Sequence, residues 1–157
     1  MNNDGYLLGI DVGSSSVKAT LLRTADGASV ASATSPETEL PISSPKPGWA
    51  EQHPDTWWEH VKNAAARVRA TADVDLREVG GIGISYQMHG LVAVDHANRP
   101  LRPAIIWCDS RAVEIGARAF REIGPDICLE HLLNSPGNFT ASKLRWVREN
   151  EPEIYRR

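Results

Sequence analysis

Apolar and polar positions alternate cleanly near the start of the chain. Leu7, Leu8, Ile10 and Val12 form a short apolar run that closes at Gly13, and Ser14, Ser15 and Ser16 follow as a turn. Val17, Ala19 and Leu21 then alternate with Lys18, Thr20 and Leu22, the two-residue period of a strand. Asp26-Gly27 is a hairpin signal, and Ala28 to Thr34 reads as a third strand. Residues 6–34 are therefore expected as a three-stranded antiparallel meander. Residues 35–48 carry Pro36, Pro41, Pro45, Pro47 and Gly48 without periodicity and read as a long loop.

A helix is predicted from Pro54 to about Thr71. Proline is tolerated in a first turn, Asp55 and Glu59 suit the positive end of the helix dipole, and Trp57, Val61, Ala64, Ala65 and Val68 share one face. Val79 to Ser85, with Ile82 and Ile84 among Gly80, Gly81 and Gly83, reads as a buried strand beside a close neighbour. Leu91, Val92 and Val94 predict another strand, Asn98-Arg99-Pro100 a turn, and Ala104 to Trp107 a further strand. Helices are expected over Arg111 to Arg121, stopped at Gly124-Pro125, over Ile127 to Leu133, and over Ser142 to Asn150 before Pro152, with a break at Ser135-Pro136-Gly137. There is no internal repeat. This order implies an α/β fold, a mixed sheet carrying the meander and flanked by helices.

Composition narrows the function classes. The chain has 157 residues, 41% hydrophobic and 24% charged, the balance of one globular domain rather than a disordered segment. A net charge of −3 excludes a protein that holds nucleic acid by bulk positive charge. No apolar run reaches the ~18 residues a membrane span needs. Met1, Asn2, Asn3 and Asp4 are not the basic opening of a secretory signal. Cys108 and Cys128 make neither a disulfide framework nor a zinc spacing, so a reducing cytoplasm is the expected compartment.

Two segments carry candidate chemistry. In Gly9-Ile10-Asp11-Val12-Gly13-Ser14-Ser15-Ser16-Val17-Lys18, a carboxylate ends an apolar strand before a turn of glycine and hydroxyls. Gly13, Ser14 and Ser15 could donate turn N–H groups and hydroxyls to phosphate, Lys18 could add charge, and Asp11 could hold Mg2+. The alternative is a plain hairpin turn, and the Walker A pattern is absent. In Ser85-Tyr86-Gln87-Met88-His89-Gly90, three polar side chains interrupt two apolar runs. Gln87 and His89 each offer a donor and an acceptor to a polyol, or satisfy loop backbone instead.

Other polar positions admit two uses. Asp109 suits sugar hydroxyls or, as the commoner role, a helix cap. Arg111 reads as a solvated or ion-paired helix residue. Trp49, Trp57 and Trp58 crowd a short stretch, where most such rings belong to a core and one could stack on a sugar. Residues 134–143 form a polar loop that serves as turn and cap or as a lip to a site.

These segments together resemble the FGGY family of carbohydrate kinases. The motifs are Gly9 to Lys18, Gly48-Trp49-Ala50-Glu51-Gln52 with Trp57-Trp58, Gln87-Met88-His89-Gly90, Leu101 to Trp107, Asp109, Arg111, Phe139 to Leu144, and Glu149 to Ile154. The resemblance runs in order from about residue 6 to the last residue. It implies an actin-like ATPase, ribonuclease-H-like fold with two domains, of which this chain is an incomplete N-terminal one. It implies ATP and Mg2+ as cofactors, with Asp11 at the metal and Gly13, Ser14, Ser15 and Lys18 at the phosphates. It implies a pentulose, D-xylulose, held by Gln87, Met88, His89 and Asp109 and phosphorylated on its terminal hydroxyl. Ribulose or gluconate as substrate is the alternative within the family, and a non-catalytic sugar- or phosphate-binding fragment is the alternative outside it.

Tyr86, Cys108 and Ser142 depart from the family's commoner residues. The resemblance puts the general base and the adenine-holding domain beyond residue 157. The chain alone is thus expected to be inactive, and the full-length protein to form a homodimer. A two-metal nuclease on the same broad fold would need several carboxylates, and only Asp11 is well placed.

Overall fold

In the computed structural model, residues 5–157 are described. In chain order the strands and helices are β1 (Tyr6–Val12), β2 (Val17–Arg23), β3 (Ser29–Ser35), β4 (Glu51–Gln52), α1 (Pro54–Ala72), β5 (Val79–Tyr86), β6 (Ala104–Ile105), α2 (Val113–Ile123), α3 (Pro125–Leu132), α4 (Thr140–Asn150) and α5 (Pro152–Arg156). The signal-peptide reading of Met1 to Asp4 falls outside the described residues. No helix among the described residues is long and apolar enough to cross a membrane. The chain divides into two units, one running to Pro41 and from Asp55 to Gln87, the other Ile42–Pro54 and Met88–Arg157.

The first unit is built on a four-stranded sheet of order β3-β2-β1-β5. β1, β2 and β3 form the expected antiparallel meander, and β5 joins β1 in parallel. The alternation in β2 sets the faces: Val17, Ala19 and Leu21 are fully buried. Leu8 and Ile10 of β1 lie opposite Leu21 and Ala19, and α1 packs Ala64 and Val68 into the same core. The hairpin turn forms where Asp26-Gly27 predicts it. Gly27 has a φ of 70°, a conformation glycine adopts without a steric penalty, and Ala28 N–H donates to Asp26 Oδ1 at 3.0 Å.

The other face of this sheet carries Leu7 and Leu22 at one end and polar groups towards the other. Asp11 lies between Lys18 and Ser85, and Gly9 between Thr20 and Gly83. Thr20 and Ser32 share a hydroxyl hydrogen bond of 3.0 Å.

β5 corrects one expectation. It is a strand, but an edge strand, and Ile82, Ile84 and Tyr86 are 62%, 64% and 70% exposed. Their register puts Ile82 beside Leu8 and Ile84 beside Ile10, so they point to the α1 side of the sheet. An apolar alternation shows which side of a strand is apolar, not whether a helix lies over it.

The second unit has little regular sheet. β4 pairs with β6 antiparallel, a pairing the sequence did not suggest. The expected strand over Leu91–Val94 is reduced to single bridges, Leu91 with Ile105 and Val94 with Pro100, and the strand over Ala104–Trp107 keeps only its first two residues. The turn between them is tight: Asp95 accepts from Ala97 N–H at 2.8 Å, and from Arg99 N–H and Nε at 2.9 Å each. Leu91, Ile105 and Val147 form the core here, with Trp146 and Ile154 against it. Gly124 ends α2 as predicted, and Pro125 opens α3 at once. α5 after Pro152 was not anticipated.

Candidate functional site

In the first unit, β1 and β2 are joined by residues 13–16. Gly13 N–H donates to Ser16 O at 3.0 Å and closes the turn. Ser15 O accepts Leu40 N–H at 2.8 Å, which fastens the turn to the proline-rich loop. Asp11 and Lys18, cross-strand neighbours, are both exposed. With Gly9, Thr20, Gly83 and Ser85 they line an open hollow of about 450 Å3. Glycine at two of these positions leaves the sheet face flat enough for a ligand to approach the backbone. One carboxylate and one ammonium at its rim suit a metal-bound phosphate more than an apolar ligand.

Gln87 ends the first unit. Its N–H donates to Val12 O at 3.0 Å, continuing the parallel pairing past β5. Its side-chain Oε1 and Nε2 are both buried and have no hydrogen-bond partner among the described residues. A buried amide with neither group paired is costly and is normally satisfied by a ligand or water.

In the second unit, Met88 and His89 are exposed. His89 has a φ of 62°, the left-handed region that non-glycine residues seldom occupy. Its ring stacks on Phe139 with centroids 4.7 Å apart and planes 8° from parallel. Lys143 Nζ donates to His89 O at 2.8 Å, Asn138 O at 2.9 Å and Asn138 Oδ1 at 2.8 Å. Asn138 Nδ2 donates to Trp107 O, and Thr140 Oγ1 to Gly90 O at 3.1 Å.

Lys143 has no solvent exposure, and burial pushes its ammonium down to about 8, against the opposing pull of the Asp109 charge. The native lysine therefore loses its proton near pH 8, while an unfolded lysine keeps it to about 10.5. Across that window the unfolded chain binds more protons, so this residue's contribution to stability rises from pH 8 to 10.5 and is lost again as pH falls. Urea midpoints of the native chain and Lys143→Met at pH 7 and pH 10 check this. The native chain should gain relative to the variant at the higher pH.

Asp109 is 1% exposed and fully engaged. Its Oδ1 accepts Arg111 N–H and Nε at 2.9 Å each, and its Oδ2 accepts Ala50 N–H at 2.6 Å and Arg111 Nη2 at 2.7 Å. α2 starts only at Val113, so the carboxylate holds the strand-end turn and the 48–50 loop rather than a helix N-terminus.

Arg111 Nη2 also meets Glu51 at 2.7 Å, and Arg102 bridges Glu51 and Glu151. The Arg111 guanidinium lies 3.7 Å from the centre of the Trp49 ring, which meets Trp146 edge-on at 5.3 Å. Trp49 is thus a wall of this ionic cluster, and Trp58 is 63% exposed.

The structure brings Asp11 and Lys18 together beside the Gly13–Ser15 turn, and Met88 and His89 together on the second unit. Asp109 stands in the ionic cluster, with its four acceptor positions taken within the protein. Glu51, Arg102, Asn138 and Lys143 had no role assigned from sequence. Only Lys143 left a local signal, a cation one helical turn before Val147 on the buried side of α4.

Comparison with known proteins accords with this arrangement. The profile of the FGGY family of carbohydrate kinases, N-terminal domain, matches residues 6–157. The xylulose kinase of Escherichia coli (strain K12) is 39% identical over 150 residues, covering 95% of this chain and 29% of that protein. The xylulose kinase of Bacillus subtilis (strain 168) is 34% identical over 157 residues, with 97% and 30% covered. The crystal structure of a "xyloylose kinase" from Brucella ovis superposes with a TM-score of 0.83 at 38% identity, covering 96% of this chain and 30% of that one. That of a xylulose kinase from Rhodospirillum rubrum gives 0.81 at 30% identity, again with 96% and 30% covered. The chain spans about 30% of the length of these relatives. The fold is the actin-like α/β arrangement with a mixed sheet, and the chain belongs to the FGGY family of carbohydrate kinases.

Proposed function

We propose that this chain supplies the phosphate turn and the sugar-binding segment of a kinase that moves the γ-phosphoryl group of ATP to the terminal hydroxyl of D-xylulose. The observation that carries the sugar side is Gln87. Among the described residues its buried amide has neither a donor nor an acceptor partner, and a polyol offers both in one hydroxyl. Met88 and His89 follow it directly and stand exposed. Asp109, whose oxygens are occupied by Ala50 and Arg111, holds the 48–50 loop.

Phosphoryl transfer depends mainly on positioning and charge neutralisation. The Gly13–Ser15 turn and Lys18 would orient the phosphates. Asp11, a single exposed carboxylate beside an open hollow, fits Mg2+, which commonly takes one or two protein carboxylates and completes its shell with water and phosphate. Bound there, Mg2+ would neutralise phosphate charge. The proton of the attacking hydroxyl needs a base, which this reading assigns to the part of the kinase beyond residue 157, together with the adenine-holding domain. In this reading the chain is an incomplete N-terminal domain.

The test is a chimera in which this chain replaces the matching segment of the Escherichia coli xylulose kinase. It should phosphorylate D-xylulose in preference to D-ribulose and gluconate. Asp11→Asn should lower its kcat by roughly a hundredfold or more, as expected for lost electrostatic stabilisation of the transferring group. His89→Ala should raise KM for the sugar about tenfold, the loss of one good hydrogen bond. Preference for another sugar would overturn the substrate assignment, and an unaltered kcat in the Asp11 variant would overturn the phosphate site.

A further inference from the structure

We infer that Lys143 is the positioning residue that sets His89 for the sugar. The inference rests on the pentulose reading above, and adds to it a residue that touches neither sugar nor phosphate.

Lys143 is fully buried, yet its three hydrogen bonds go to neutral oxygens: His89 O, Asn138 O and Asn138 Oδ1. A buried cation is a poor way to gain stability, and an apolar side chain of the same length would serve packing as well. What an ammonium offers instead is three donors on one atom, and here they tie the backbone of the 88–90 segment to that of residue 138.

His89 needs such a tie. Its backbone is left-handed at a φ of 62°, which a side-chain-bearing residue keeps only when its surroundings impose it. The hold on it is two-sided. Lys143 takes the carbonyl, and Phe139, four residues earlier, takes the ring in a parallel stack. Thr140 adds a bond to the carbonyl of Gly90, the next residue. The start of α4 therefore fixes where the imidazole stands. Asn138 completes the frame, since its side chain accepts from Lys143 and donates to Trp107 O.

The test uses the chain labelled with 13C at histidine Cε1. His53, His60, His96 and His131 serve as internal controls for His89. In the native chain the His89 Cε1–H proton should resonate upfield, under the Phe139 ring, and Phe139→Leu sets the value for complete loss. Lys143→Met at pH 7 should move the His89 signal most of the way to that value, leave the other four in place, and raise the D-xylulose concentration at half-saturation at least tenfold. Lys143→Arg should fail to restore either, because a planar fork cannot reach three convergent acceptors.

A folded Lys143→Met chain with the native His89 signal and native sugar titration overturns the inference. If that variant unfolds and all five signals collapse, Asn138→Ala is used, which removes one acceptor of the same ammonium. It should shift His89 selectively, and an unmoved His89 signal there also overturns the inference. If D-xylulose moves no histidine signal in the native chain while Lys143→Met still displaces His89, the D-xylulose reading fails and the positioning of His89 by Lys143 stands.

Discussion

Replacing Arg111 by methionine is expected to destabilise the chain by about 3–5 kcal/mol, the range for removing one partner of a buried ion pair. The side chain is 1% exposed and meets two carboxylates, Asp109 and Glu51, each at 2.7 Å. Methionine would fill much of the space beside Trp49, so packing is largely kept. What is lost is the cation shared by two acidic groups whose side chains are 0% and 9% exposed. Asp109 would retain two backbone donors, the residue-111 N–H on Oδ1 and the Ala50 N–H on Oδ2, but no cation, and Glu51 would retain Arg102.

The damage should therefore fall first on Asp109 and on the 48–50 loop it holds. Urea unfolding of Arg111→Met measures the loss. The double variant Arg111→Met with Asp109→Asn should recover part of it, because the orphaned charge is then gone. A loss below about 1 kcal/mol, the range of surface ion pairs, would mean that water reaches the cluster and screens it.

What the sequence made legible follows from the range of the interactions. The meander was legible because Val17, Ala19 and Leu21 carry the period of a strand and Asp26-Gly27 marks its turn. α1 was legible through Ala64 and Val68. These are local patterns, and one face of each element obeys them. β5 showed the limit: the same alternation made Ile82 and Ile84 read as core, and they stand at an edge.

Of the ionic cluster, only the ion pairing of Arg111 was legible, as one of two readings, and its partners were not. Glu51, Arg102, Asp109, Arg111 and Glu151 converge across up to a hundred residues of chain, a distance no local pattern spans. Of the candidate site, Asp11 and Lys18 were placed by strand register, and Gln87 and His89 by standing at a strand end. Lys143 could have been noticed as a cation within the Val147 stripe. Two of its three acceptors, however, are the backbone carbonyls of His89 and Asn138, and no pattern of side chains announces a carbonyl.

Gly116→Ala is expected to cost about 3 kcal/mol, at the upper end of the usual range for overpacking. Alanine favours a helix over glycine by about 1 kcal/mol, so on propensity alone this substitution within α2 would stabilise. Geometry reverses the sign. A Cβ at Gly116 would stand 2.3 Å from Gly137 Cα and 2.5 Å from both Gly137 N and Pro136 O. All three are backbone atoms, so no side chain can swing aside, and α2 or the 3-10 turn Pro136–Asn138 must move. That turn carries Asn138 and leads into Phe139, the two residues that flank Lys143 and the His89 ring. The variant should thus lose stability and displace the His89 signal together. Gly83→Ala, where an added Cβ meets nothing within 4 Å, is the matched control and should change stability by less than ~0.5 kcal/mol. Equal effects of the two substitutions would mean that α2 and the turn separate easily, and that the close approach at Gly116 does not hold His89 in place.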